Sequence, residues 1–489
     1  MKVSLSLIIL TISIACNAQT RFDHGTISHK TAELISAIEK VNVLKGPVIG
    51  DGGERPMQYE NFELLEKAAT QKELITLTDH PNPTVRCYAF WALNNRGDVK
   101  LLPIVLKHFN DTAIVKMHFG CIGSYNKVGD YFVESIRPVY RRDDTLRLKP
   151  EEYAYLDSML LFTPNELFSI RRAILTAPMN EKTYNRVREV VVNENNQDAL
   201  EKLASFKRVA DIPLIFSHKR KRDNGSEVCL NYYAISEFPH PDFLPELNSA
   251  VKSAVGKDRL ASEWKGLYNA IASYKNDASL KLLKIPFTKS MDEDIRKYHI
   301  NFVFDAVSTH YTPYYNDLLW DIWENEKRIS TAMFEKLYPE NPARGLSLIK
   351  KTLRNLDDFY YLSTGGYAGY EAASVGLLPV MMDTLLAYDR PAALDLINKN
   401  IRTVNVHSFL EVADKAGQIN DTSLVESFFA RLETETNPHI YLKTVEVLIA
   451  IGDPSINKRI KEAPGRNPNL KKDWGGKAFD KLLKENSID

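Results

Sequence analysis

The stretch Asn82-Pro83-Thr84-Val85-Arg86-Cys87-Tyr88-Ala89-Phe90-Trp91-Ala92-Leu93-Asn94-Asn95-Arg96-Gly97-Asp98 holds instructions for both ends of a helix. The Asn82 side chain suits the first free amides. Proline at the next position loses nothing, because its missing N–H would be unpaired there in any case. Val85, Ala89, Ala92 and Leu93 follow at i, i+4, i+7 and i+8, which predicts one buried face. Gly97 supplies the left-handed residue that ends a helix, and Asp98 is placed to cap the next one. The spacing therefore predicts a helix that starts at Pro83 and stops at Gly97, with a second helix directly behind it.

The same instructions return near the other end of the chain without a gap. Asn437-Pro438-His439-Ile440-Tyr441 leads through Leu448 to Gly452-Asp453, with Ile440, Thr444, Val447 and Leu448 on the buried spacing and Pro454 opening the next helix. Ahead of the first copy, Thr70 and Glu73 have the spacing of a capping box before Leu74 and Leu77, so the unit that repeats is a helix pair. Weaker copies lie between. Trp264, Tyr268 and Ile271 lead to Asn276-Asp277, where Asn stands in place of Gly at the turn, and Val209-Ala210-Asp211-Ile212-Pro213-Leu214 reads as a further boundary. Leu102-Pro103, Leu244-Pro245 and Leu378-Pro379 place proline in apolar helical runs, which predicts a recurrent kink.

Helix pairs with a proline-bent first helix, Asn-Pro-x-Val-Arg opening the second and Gly-Asp closing it resemble the HEAT-repeat family. The resemblance implies an all-α fold, an α-α superhelix or armadillo-type solenoid of stacked helix pairs. Its two good copies stand far enough apart for about nine repeats of the ~40-residue length usual in such arrays. One helix pair cannot bury both its faces, so stacking creates the core and the ends need caps. The expected organisation is a leader over residues 1–18, an amino-terminal cap and turn-rich segment over 19–57, repeats over 58–463, and a carboxy-terminal cap over 464–489. Residues 140–200 and 285–360 have helical periodicity but no clean motif, and their repeat boundaries stay open. No segment alternates over a useful length, so no sheet of consequence is expected.

A chain of 489 residues is too long for one hydrophobic core, and at 44% hydrophobic and 26% charged it has the composition to fold throughout. Met1-Lys2 followed by the apolar run from Val3 to Ala15 is too short to span a bilayer comfortably and reads as a signal peptide. Two readings of its end are open: cleavage after Ala18, leaving Gln19 first, or a lipoprotein signal with Cys16 acylated. No later stretch is long and apolar enough for a transmembrane helix. Sixty-three basic residues balance sixty-three acidic ones, so net charge draws the chain to neither nucleic acid nor an anionic membrane. Cleavage after Ala18 leaves Cys87, Cys121 and Cys229, an odd number, and the expectation is three buried, unpaired thiols, with Cys87 and Cys121 on neighbouring helices.

The chain has no His-Glu-x-x-His, Gly-x-Ser-x-Gly, phosphate-binding Gly-x-x-x-x-Gly-Lys or calcium-loop pattern. The eleven histidines are scattered, and the pair His108 and His118 reads as lying on successive helices without an acid or cysteine at ligand spacing, so neither metal nor cofactor is expected. Gly50-Asp51-Gly52-Gly53 reads as a surface turn, and Lys219-Arg220-Lys221-Arg222 as a solvated basic loop or a contact for an acidic partner. The stretch from Asp357 to Tyr370 alternates aromatics with glycines. Tyr360, Tyr361, Gly365, Gly366, Tyr367 and Tyr370 are the candidate binding residues, because tyrosine gives a rigid amphipathic contact and glycine admits a close approach. The bland reading is a long loop and a tightly packed helix. Tyr311, Tyr314 and Tyr315 around Pro313 form a second aromatic turn.

These features lead to an expected bacterial periplasmic or secreted scaffold, non-enzymatic, that binds a protein or peptide partner and no nucleic acid. The alternatives are an enzyme in the solenoid concavity, acting on glycans through Asp357 and Asp358, and a structural part of an envelope assembly held by a lipid at Cys16.

Overall fold

A computed structural model describes residues 22–50, 52–97, 99–137, 148–194, 196–218, 220–221, 227–228, 231–255, 261–358 and 376–488. The fold is all-α in class: the described residues are 73% helical, with 27 helices and one small three-stranded sheet. Contacts divide the chain into two compact units between Ile212 and Pro213. That boundary falls inside the stretch 209–214 that the sequence marks. No helix among the described residues is long and apolar enough to cross a membrane.

In the first unit the motif helix is Pro83–Arg96, and its ends form as the residue types require. Asn82 Oδ1 accepts the N–H groups of Thr84 at 2.9 Å and Val85 at 3.1 Å, and Gly97 is left-handed at φ 77°. Thr70 and Glu73 make both halves of the capping box on Gln71–Leu77. The expected single buried face is an underestimate. Val85, Cys87, Tyr88, Ala89, Phe90, Ala92 and Leu93 are all fully buried, because helices His29–Val41, Gln71–Leu77 and Val128–Ser135 and a sheet all pack on this one helix. A helix that is apolar nearly all round belongs in the middle of a unit.

That sheet is a small one within the all-α fold, and the sequence reading did not place it. β1 (Leu44–Ile49) pairs parallel with β2 (Ile114–Gly120), which pairs antiparallel with β3 (Ile122–Lys127). Val115 and Met117 alternate with Lys116 and His118, a period of two in a run only seven residues long. Val115 is fully buried, and the Phe119 ring reaches Trp91 of the motif helix at 5.9 Å. His118 is therefore on a strand, and Cys121 lies at the exposed β2–β3 turn, neither buried nor helical; Cys87 is buried as expected, and Cys229 lies outside the described residues. Ile49 and Glu54 exchange two backbone hydrogen bonds of 2.9 Å across the turn that begins at Gly50. A two-residue pairing, Arg220–Lys221 with Glu227–Val228, is the other sheet.

The open segment 140–200 contains helices Pro150–Phe162, Ile170–Thr176 and Glu181–Glu194, and 285–360 contains Glu293–Thr309, Asn316–Glu326, Thr331–Leu337 and Pro342–Arg354. In the second unit the motif helix is Pro438–Ala450, capped by Asn437; Gly452 is left-handed at φ 76°, and Asp453 caps Pro454–Arg466. Asn276 is the amino-terminal cap of Asp277–Leu283, and Lys275 takes the left-handed position at φ 53°, so the weaker copy is shifted by one residue from its expected turn.

The prolines do not kink their helices. Pro103, Pro245 and Pro379 lie within the first turns of Leu102–Lys107, Leu244–Ala254 and Leu377–Tyr388. The amides there have no helical acceptor, so no bond is lost. Pro464 is internal to Pro454–Arg466, which runs across position 464.

Candidate functional site

Helices Leu377–Tyr388, Val406–Ile419, Pro438–Ala450 and Asp473–Glu485 of the second unit pack on one another in chain order. Each buries an apolar side. In Val406–Ile419 it is Phe409, Val412, Ala413 and Ala416, and in Pro438–Ala450 it is Ile440, Tyr441, Val445 and Leu448. The same helical spacing then lines up polar residues elsewhere on the surface: His407, Glu411 and Asp414 at i, i+4 and i+7, and His439, Lys443 and Glu446 likewise.

Ion pairs join these rows. Lys415 Nζ donates to both carboxylate oxygens of Asp383 at 2.9 Å. Lys443 Nζ lies 2.5 Å from Asp414 and 3.4 Å from Glu446. Burial works to lower the Lys443 ammonium, and the hydrogen bonds and negative charges of Asp414 and Glu446 together outweigh it, leaving the group above the ordinary lysine range. At the far end the His439 ring is 5.3 Å from that of Trp474, which is 54% exposed.

Glu411 is the unusual member of this stripe. Burial, with Asp414 close by, pushes its carboxyl up to about 7. Its Oε2 is buried and accepts no hydrogen bond from the described residues, and a Cβ placed on Gly376 would lie 2.9 Å from it. A carboxyl in this state exchanges a proton near neutral pH, which ordinary surface carboxylates do not do.

Tyr360, Tyr361, Gly365, Gly366, Tyr367 and Tyr370 lie outside the described residues. Description resumes at Gly376, against Glu411. Asp357 does not stand free for acid–base work, because its Oδ1 accepts the Asn405 N–H at 3.1 Å at the start of Val406–Ile419. The second aromatic turn is a packing device: Tyr315 is fully buried and donates to the Ala272 carbonyl at 2.7 Å, Tyr314 donates to Asp277, and Lys336 covers the Tyr311 ring at 4.5 Å.

His108 has acids that its local sequence does not reveal. Asp79 approaches its Nε2 at 3.4 Å and Asp111 its Nδ1 at 3.2 Å, while Arg86 holds Asp111 at 2.9 Å and donates to the His80 carbonyl at 2.6 Å. This knot joins the start of the motif helix to the turn before β2. Among the described residues no three or more His, Cys, Asp and Glu side chains are grouped to hold a metal ion.

Sequence reasoning passed over Glu411, Asp383, Lys415 and Lys443. The repeated spacing, His407 to Glu411 to Asp414 and His439 to Lys443 to Glu446, was the available signal; their pairing across helices was not. Neither a protein-family model nor a curated protein sequence matches this chain.

Proposed function

We propose that the chain is an exported HEAT-like solenoid that acts as a binding scaffold, and that the polar stripe from Asp383 to Trp474 receives a protein or peptide partner. The observation that carries this is the succession of packed helices with aligned charged and aromatic side chains, ending in the exposed Trp474 beside His439. Stacked helices present a long row of side chains at fixed spacing, which suits an extended polar ligand. Export rests on the leader before Gln19, and the fold assignment on the two gap-free motif copies and their observed caps.

The experiment is an affinity pull-down from a bacterial envelope fraction with the mature protein and with a His407→Ala, His439→Ala, Trp474→Ala variant. One defined protein retained by the first and lost by the second supports the scaffold. Equal retention by both removes the stripe from the proposal. Glu411 favours a second reading, an enzyme whose acid titrates near pH 7. Turnover by the purified chain alone that disappears in Glu411→Gln would favour that reading.

A further inference from the structure

The small sheet of the first unit has an edge built to accept another strand. Val128 N–H donates to the Ala113 carbonyl at 3.0 Å, just beyond the paired residues Ile114 and Lys127. In an antiparallel ladder the bonding direction alternates, so Asn126, Ser124 and Ile122 also turn their backbone groups toward β2. Gly123, Tyr125 and Lys127 turn theirs outward. The Lys127 N–H is taken by Asn126 Oδ1 at 2.9 Å, whereas no described residue outside the strands bonds the N–H and C=O of Gly123 and Tyr125.

Edges are usually defended by charge, proline or a bulge. β1 has Pro47 and an irregular register between Lys45 and Ile49. β3 has none of these from Ile122 to Asn126, and Ile122, Gly123, Ser124 and Tyr125 are all exposed, Ile122 at 70% and Tyr125 at 69%. The three strands carry Lys45, Lys116, His118 and Lys127 and no carboxylate, in a chain whose charges otherwise balance. Lys116 stands directly across from Tyr125, and Lys127 lies 4.5 Å over the Phe168 ring. The acid that meets this strand is Glu134, which accepts from the Asn126 side chain at 2.9 Å.

We propose that β3 binds an extended peptide with acidic side chains, added as a fourth strand along Gly123 and Tyr125. Main-chain bonds hold the peptide, and the cationic sheet selects its charge. The proposal uses no residue of the helical stripe and does not depend on it.

The test uses the full mature protein and a blocked hexapeptide alternating glutamate with valine, with the lysine–valine peptide as control. Anisotropy should show saturable binding of the acidic peptide and about tenfold weaker binding of the control, the sum of a few cross-strand charge pairs. Hydrogen exchange should slow at the Gly123 and Tyr125 amides. Tyr125→Pro removes an outward donor without touching the β2 ladder and should abolish binding, while Tyr125→Phe should retain it. If the proline variant does not fold, Tyr125→Glu replaces it and should weaken binding at least as much as the control peptide does. No protection at these amides overturns the proposal. Equal binding of the two peptides overturns the choice of an acidic partner, and a dimer that Tyr125→Pro dissolves assigns the edge to a second copy of the chain.

Discussion

Glu73 accepts the backbone N–H of Ser28 at 2.6 Å through Oε1, although Ser28 lies forty-five positions earlier in the chain. Its Oε2 accepts the Thr70 N–H at 2.7 Å and hydroxyl at 2.8 Å. Ser28 in turn caps His29–Val41. One carboxylate thus fixes the starts of two helices, and what reads locally as a capping box is also a tertiary clamp.

This clamp should make stability depend on acid. Burial pushes the Glu73 carboxyl up, but the hydrogen bonds from Ser28 and Thr70 outweigh it and take the group down to about 2. A carboxyl held below its ordinary value of 4.5 stabilises the fold above that pH, and the contribution fades as pH falls toward 2. Glu73→Gln should melt at a lower temperature at pH 7, by about 1–2 kcal/mol as for a lost helix cap. The gap should narrow as pH falls below 4.5 and close near pH 2. A gap that stays constant across that range would refute the assignment.

Glu411 should behave in the opposite sense. Its folded carboxyl titrates near 7 and its unfolded one near 4.5, so the fold loses stability as pH rises through that window. The charge that adds to burial is Asp414 on the same helix, and His407 stands one turn before Glu411 in the sequence. Glu411→Gln should match the parent near pH 4 and exceed it above pH 7 in urea midpoint. Unchanged midpoints at both values would mean that the carboxyl is solvated in solution.

The motif helices were legible because their ends are local. Asn82, Pro83 and Gly97 act on their own backbone, and so do Asn437, Pro438 and Gly452. The sheet was not, because β1 and β2 are far apart in sequence and β2 alternates over only a few residues before turning at Gly120 and Cys121. The shifted turn at Lys275 shows the limit of reading a motif by residue type, since lysine has no special preference for a left-handed position. The site was half legible: the spacing of His407, Glu411 and Asp414 is in the sequence, while the approach of Asp383 to Lys415 depends on how helices stack. Burial of Glu411 depends on the same packing.

The proposal that residues 1–18 are a cleaved leader makes a simple prediction. Mass spectrometry of material from a bacterial envelope fraction should give a chain that begins at Gln19. A mass with lipid on Cys16 would replace simple cleavage by anchoring, and an intact Met1 would reject export.

Gly475 gives a sharper test of packing, because two general effects predict opposite signs. It lies in the first turn of Asp473–Glu485 and is buried against Pro438–Ala450. Within a helix, Gly→Ala ordinarily stabilises by about 1 kcal/mol. Here a Cβ would overlap the Tyr441 hydroxyl and lie 2.8 Å from Pro438 Cβ, so the last helix must move away. Overpacking of this kind costs about 1–3 kcal/mol, which outweighs the propensity gain. Gly475→Ala should therefore destabilise the protein and speed hydrogen exchange over residues 473–485. Gly465→Ala is the control, since that glycine is also helical and nothing lies within 4 Å of its added Cβ. It should be neutral or stabilising. Adding Tyr441→Phe to Gly475→Ala removes the oxygen that the methyl would strike and should recover part of the loss, leaving the Pro438 contact. If Gly475→Ala stabilises as much as Gly465→Ala does, the last helix does not sit this close to Tyr441.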